Sequence, residues 1–250
     1  QKGEVVRCFL GIDAGSTTVK TADELDALSF TEGSNFSIAD ENKYIIYAYA
    51  VDLAGNKSTY ICTDGIVLDK TAPTVTLTAP TGSDLGDVSG KAKVQMNETG
   101  TITYVISTID DSEMSLQDIL EDATKKTLSV TASQAGTELE IPISGLTANT
   151  TYFMYLFGTD TAENQSNIRI RSFTTTKTQP MFTANPTIIG TYGQQVKDMM
   201  VSQVTSTNGI AGSWSVASTD KPSVGTSATY DVVFTPDDAA QYATVTVTVT

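Results

Sequence analysis

Histidine is absent from the 250 residues. That removes the commonest general base and the commonest transition-metal ligand together, and no Ser–His or Cys–His nucleophile can be assembled. Cysteine occurs only at Cys8 and Cys62, too few to build a zinc site alone. Basic residues are scarce: 15 Lys and Arg stand against 29 Asp and Glu, for a formal charge of -14. Phosphate backbones and anionic membrane surfaces both require a concentrated cationic face, so neither is an expected partner. No apolar run reaches the ~18 residues of a membrane-spanning helix, so membrane insertion is not expected. No signal peptide and no initiator Met are visible, and Gln1 reads as the start of a fragment or of a processed chain.

What is present is β-forming. Thr, Val, Ile, Ser and Tyr dominate, and Gly, Asn, Asp and Pro punctuate short runs. Alternation of apolar and polar residues is clearest in TVTLTAP (74–80), TELEIPI (137–143), YDVVF (230–234) and ATVTVTVT (243–250). Period-2 runs of this kind put one face in a core and the other in water.

An internal repeat runs through the first two thirds of the chain. YIIYAYAVDLAGNKS (44–58) lies over YFMYLFGTDTAENQS (152–166) without a gap. Tyr44 falls on Tyr152, Tyr47 on Tyr155, Asp52 on Asp160, Asn56 on Asn164 and Ser58 on Ser166. Each copy predicts a hairpin turning at D-x-A-x-N. Glu163 replaces Gly55 in the second copy, which predicts a different turn there. Each hairpin is preceded by a strand (VVRCFL or TITYVIS) and a short helical stretch. TADELDAL (21–28) and SLQDILEDA (115–123) open with Thr or Ser and carry acids soon after, an N-cap signal. The second copy has two further strand candidates ahead of it, in residues 73–101, and the first copy has no room for them. Either residue 1 falls inside a domain, or the first domain is smaller, or another chain completes it. VLDKTAPTV (67–75) and FTTTKTQPMF (173–182) mark the boundaries. Both are short, which predicts a semi-rigid rod.

GLTANTTYFMYLFGTD (145–160) resembles the corner of fibronectin type III domains at Leu146, Thr150 and Tyr152. The resemblance implies a structural role for these three. The Tyr hydroxyl there bonds back to the preceding corner, and Tyr44 is its counterpart in the first copy. DLAGN (52–56) with DKTAP (69–73) is similar to immunoglobulin-like repeats of bacterial surface proteins. TYGQQV (191–196), GIAGSWSV (209–216) and GTSATYDVVFTPDDAAQY (225–242) resemble a second such repeat family, with Trp214 as core anchor and Tyr242 leading into the last strand. The expected fold is therefore all-β. It comprises three tandem β-sandwich domains, the first two with a short helical insertion. They are a partial immunoglobulin-like sandwich (1–70), a fibronectin III-like sandwich (71–177) and a bacterial immunoglobulin-like sandwich (178–250).

Those resemblances imply a non-catalytic extracellular segment of a bacterial cell-surface protein, a spacer or an adhesion module. The alternative is a set of accessory, carbohydrate-binding modules in a larger secreted carbohydrate-active enzyme. The expected partners are a host glycan or matrix protein and the neighbouring repeats of the parent chain. No catalytic, cofactor-binding or metal site is assigned. GIDAGSTTVK (11–20) resembles the first phosphate hairpin of actin-like and sugar-kinase ATPases. It lacks their second hairpin and adenosine-binding glycines, so it reads as a polar loop. Asp110, Asp111 and Glu113, Asp237 and Asp238, and Asp69 offer oxygen ligands of the kind calcium takes, but none has the D-x-[DN]-x-[DN]-G spacing and turn formation is the simpler role. Tyr44, Tyr47, Tyr49 and Tyr60 are candidates for a sugar platform or for core packing. Cys8 and Cys62 invite a disulfide in an extracellular chain, but fall one strand too far apart for one and read as buried free thiols.

Overall fold

The computed structural model describes residues 7–33, 35–223, 225 and 227–250. The chain is all-β, with antiparallel sheets in tandem sandwich modules and two short helices. Contacts divide it into two compact units: residues up to Pro73 with Thr159–Ser166, and Thr74–Gly158 with Asn167–Thr250. Among the described residues no helix is long and apolar enough to cross a membrane.

The first copy of the repeat forms β1 (Arg7–Ala14), α1 (Ala22–Leu25), β2 (Phe30–Glu32), β3 (Asn42–Val51), β4 (Ile61–Cys62) and β5 (Ile66–Leu68). The sheet order is β2-β1-β3-β4, with β5 also pairing β3. Residues opposite one another in an antiparallel ladder share a face. One face carries Ile45 and Tyr47, covered by Leu25 of α1 and by Leu28, Phe30 and Tyr60. Gly11 sits under the Phe30 ring, where an added Cβ would lie 2.9 Å from it. The opposite face carries Cys8, Leu10 and Ile12 of β1 beside Ala50, Ala48 and Ile46 of β3. Among the described residues before Pro73 no second sheet covers that face, and Ile12 is 36% exposed.

This geometry corrects the cysteine expectation. Cys8 and Cys62 are free, and both are exposed rather than buried. They flank β3 on opposite sides, Cys8 paired with Ala50 and Cys62 with Tyr47. Cys8 lies at the exposed end of a face whose other end, at Ile46 and Tyr44, is buried, and Cys62 lies on a two-residue edge strand, so neither cysteine is enclosed.

The second copy forms β6 (Val75–Thr78), β7 (Ser89–Met96), β8 (Gly100–Ser107), α2 (Leu116–Glu121), β9 (Lys126–Val130), β10 (Glu138–Ser144), β11 (Thr151–Asp160) and β12 (Arg169–Thr174). Three strands, in the order β10-β7-β6, face four, in the order β12-β11-β8-β9. Val75, Leu77, Val94 and Met96 of the smaller sheet meet Ile102, Met154, Leu156 and Phe173 of the larger one. The other face of β8 and β11 presents Val105, Tyr155 and Phe157 to Ile119 of α2. β11 is thus buried on both faces, which is why it reads as a nearly continuous apolar run. Each such side chain contributes roughly 1.5–3 kcal/mol of burial. Gly158 allows the sheets to close: a Cβ there would lie 2.6 Å from Val75 Cγ2.

The remaining strands are β13 (Ile188–Ile189), β14 (Met200–Val201), β15 (Gly212–Val216), β16 (Tyr230–Pro236) and β17 (Val245–Val249). β13 pairs with β14, and β15-β16-β17 form a second sheet. Their core is an aromatic triangle. Phe182 lies 4.7 Å from Trp214 and 4.9 Å from Phe234, and Trp214 lies 5.4 Å from Phe234. Trp214 is 4% exposed and donates its indole N–H to the Val204 carbonyl at 2.9 Å.

The two D-x-A-x-N turns are the same turn, contrary to expectation. Asp52 Oδ1 accepts the Ala54 and Asn56 amides, and its Oδ2 accepts Asn56 Nδ2. Asp160 makes the same three bonds to Ala162 and Asn164. Gly55 has φ 88° and Glu163 φ 69°. The Asp–Asn network fixes the backbone, and Glu163 is held in a left-handed conformation that glycine adopts without strain.

Candidate functional site

The loop that resembles a phosphate hairpin is a strand end and a turn. β1 runs to Ala14, Gly15 donates its amide to the Lys43 carbonyl at 2.7 Å, and Ser16 Oγ accepts the Thr18 amide at 3.0 Å. Lys20 Nζ lies 3.3 Å from Asp13 Oδ2, a half-buried ion pair set off the line of a hydrogen bond. The lysine of the motif is therefore paired with the acid of the same motif.

Four tyrosines of the repeat fix loops through their hydroxyls. Tyr152 accepts the Thr147 amide at 2.8 Å and stacks on Phe173 at 5.7 Å. Around it, Leu146 packs on the core and donates its amide to the Val88 carbonyl. Thr150 Oγ1 donates to the Ala148 carbonyl at 2.9 Å. Tyr44 donates to the Asp40 carbonyl at 2.6 Å. Of the matched pair Tyr47 and Tyr155, the sequence offers Tyr47 only as a sugar platform or core residue, and the structure adds a loop-holding role for both. Tyr47 accepts the Lys20 amide at 2.7 Å, and Tyr155 accepts the Asp111 amide at 2.6 Å. Both are buried to 1% or less, and both pin the loop leading toward the short helix. Their register match was visible, but a backbone partner far away in sequence was not.

Tyr44 and Tyr47 are buried and point to opposite faces of β3, so they offer no ring to a sugar. Tyr49 stacks on Phe9 at 4.9 Å, and Lys57 Nζ sits 4.0 Å above Tyr49 and 4.1 Å from the Tyr60 ring centre. The Tyr60 hydroxyl raises the Lys57 pKa by hydrogen bonding, and so keeps the cation on the rings. The sugar platform is thus half buried and half covered by a lysine.

One carboxylate in each acidic cluster, and Asp69, accepts backbone amides. Asp111 accepts Glu113, Asp238 accepts Ala240 and Gln241, and Asp69 accepts Thr71. Asp69 also offers its carbonyl to Asn164 Nδ2 at 3.2 Å.

A network of polar contacts forms the joint between the second and third sandwiches. Thr178 pairs in parallel with Tyr242. Its amide donates to the Gln241 carbonyl at 3.2 Å and its carbonyl accepts the Ala243 amide at 3.0 Å. Thr178 Oγ1 donates to Asp87 Oδ2 at 2.8 Å. Asn149 Nδ2 reaches the Ala240 carbonyl at 2.8 Å, and Lys177 Nζ reaches the Ala239 carbonyl at 2.5 Å. Tyr242 packs against the Trp214 core from this turn. The turn after Pro236 is therefore bonded to Asn149, Lys177 and Thr178 of the second sandwich and the linker.

No protein-family profile matches the sequence. No curated protein matches it either. Among solved structures, the FN1–FN3 domains of chicken CNTN1 are similar, with a TM-score of 0.32 and 12% identity over 69% of this chain. The match spans 56% of that structure's length.

Proposed function

We propose that the chain is a non-catalytic extracellular segment of a bacterial cell-surface protein, acting as a semi-rigid spacer. The observation that carries this reading is the bonded joint at Thr178, which fastens two sandwiches through main chain as well as side chains. A spacer needs stiffness between modules and little else. The absence of histidine and the loop-forming use of Asp69, Asp111 and Asp238 support a role without chemistry.

Adhesion is the second reading. Ile189 and Met200 face each other across β13 and β14 at 57% and 66% exposure, and Tyr192 nearby is 82% exposed. Exposed apolar groups gathered in one place mark contact surfaces. Binding of the whole chain to an array of host glycans and matrix proteins, with and without calcium, separates the two. Saturable binding lost in a Tyr192→Ser, Met200→Ser variant makes it an adhesin. No binding at tens of micromolar, together with a stiff joint in solution, leaves the spacer. A flexible joint overturns the spacer.

A further inference from the structure

At one open edge of the second sandwich, β9 ends the four-stranded sheet and β10 ends the three-stranded one. Between these two edge strands lies a cleft of about 340 Å³, at the small end of the roughly 300–1,000 Å³ that small-molecule sites occupy. Its apolar walls are Ile106, Ile143 and Leu146 with the rings of Tyr104 and Tyr152. Tyr104 and Lys126 are directly opposite in the β8–β9 ladder and so share the face that looks into the cleft.

The polar side chains here, Tyr104, Thr124, Lys126, Ser144 and Tyr152, can all donate, and none is an anion. Tyr104 is 7% exposed, and among the described residues its hydroxyl has no hydrogen-bond partner. Its hydroxyl is not sealed off from solvent, so at the cleft it remains available to donate to a ligand. Burial also raises the Tyr104 pKa, which keeps the proton on the donor. The Tyr152 hydroxyl accepts from Thr147 and still has its own proton to give. Lys126 forms no ion pair among the described residues. No Asp or Glu lines the cleft, although the chain as a whole carries -14.

We propose that this cleft binds a small carboxylate with an apolar body, its carboxylate received by Tyr104, Tyr152 and Lys126 and its body by Ile106, Ile143 and Leu146. A carboxylate is acceptor-only and matches a set of donors that includes one cation. An uncharged apolar molecule would leave the three donors unmet, and a cation would meet Lys126.

The test is titration of the intact chain with 4-phenylbutyrate, followed by amide chemical shifts, with the neutral 4-phenylbutanamide as comparison. Saturable shifts at residues 104–106, 124–126 and 143–146 are expected at low millimolar concentration, the affinity such a fragment can reach. Tyr104→Phe and Lys126→Gln should each weaken binding about tenfold, as loss of one charge-assisted hydrogen bond does, and the amide should bind weaker by a similar factor. Both variants preserve shape, and unchanged spectra without probe verify their fold. The proposal fails if shifts do not saturate by about 20 mM. It fails equally if they fall elsewhere, or if both variants bind like the parent chain.

Discussion

Two matched residues differ in the repeat and have the same job. Gly55 and Glu163 both occupy the left-handed position of a D-x-A-x-N turn. An L-residue with a Cβ loses roughly 1–2 kcal/mol there relative to right-handed backbone, whereas glycine loses little but is freer when unfolded. Glu163→Gly should therefore stabilise by up to about 1 kcal/mol, and Gly55→Glu should destabilise by about the same. Urea unfolding followed by circular dichroism reads both, because Trp214 lies in another module and its fluorescence would miss them. An unchanged midpoint in Glu163→Gly would mean that the turn relaxes rather than stores strain. Tyr155 gives a second residue-scale prediction. Tyr155→Phe keeps the ring in the α2 cluster but releases the Asp111 amide and the Ile109 carbonyl. The loss should be about 1–1.5 kcal/mol. Hydrogen exchange should quicken from 109 to 119. Exchange unaltered in that segment would show that the hydroxyl does not hold the loop.

The elements were legible where the signal was local. The caps of α1 and α2 follow from Thr21 with Glu24 and Ser115 with Asp118, and both carboxylates accept hydrogen bonds from the capping residue. The alternation in residues 74–80 and 137–143 fell on β6 and β10. What failed depended on layers rather than on local pattern. The exposure of Cys8 is set by whether a second sheet lies over β1, and nothing in the residues around Cys8 states that. The Glu163 turn follows the Asp–Asn network rather than the residue type at its left-handed position, and that type alone points to a different turn. These same carboxylates give a pH prediction. Hydrogen bonds from Asn56 lower the Asp52 pKa, those from Ser115 lower Asp118, and those from Thr21 lower Glu24. Burial acts to raise Asp160, but hydrogen bonds from Asn164 and Ala162 together outweigh it and the net direction is down. A carboxyl lowered on folding is protonated first in the unfolded chain. Its contribution is whole above the unfolded range near pH 4 and is lost as pH falls through the folded values. The urea midpoint should hence be flat from about pH 7 to about pH 5 and fall below about pH 4. In Asp52→Asn the fall should be shallower. An equal slope in that variant would assign the acid loss to other groups.

At the scale of the whole molecule, the short linker around Thr178 predicted stiffness without showing its source. Chain brevity alone limits reach but leaves rotation free. Rotation is restricted by bonds to residues distant in sequence: Asn149 to Ala240, Thr178 to Asp87, and Thr178 to Gln241. No local pattern reports pairs so far apart. Main-chain bonds at the joint survive side-chain substitution, so a fair test must remove an amide proton. Thr178→Pro removes the donor to Gln241 and the hydroxyl to Asp87 in one change. In the parent chain, residual dipolar couplings of the second and third sandwiches should fit a single alignment tensor. In Thr178→Pro combined with Asn149→Ala they should need two, while the Trp214 environment and the β8–β11 amide shifts stay as they were. If the parent chain already needs two tensors, the joint is flexible in solution despite its bonds, and stiffness cannot be what these modules supply.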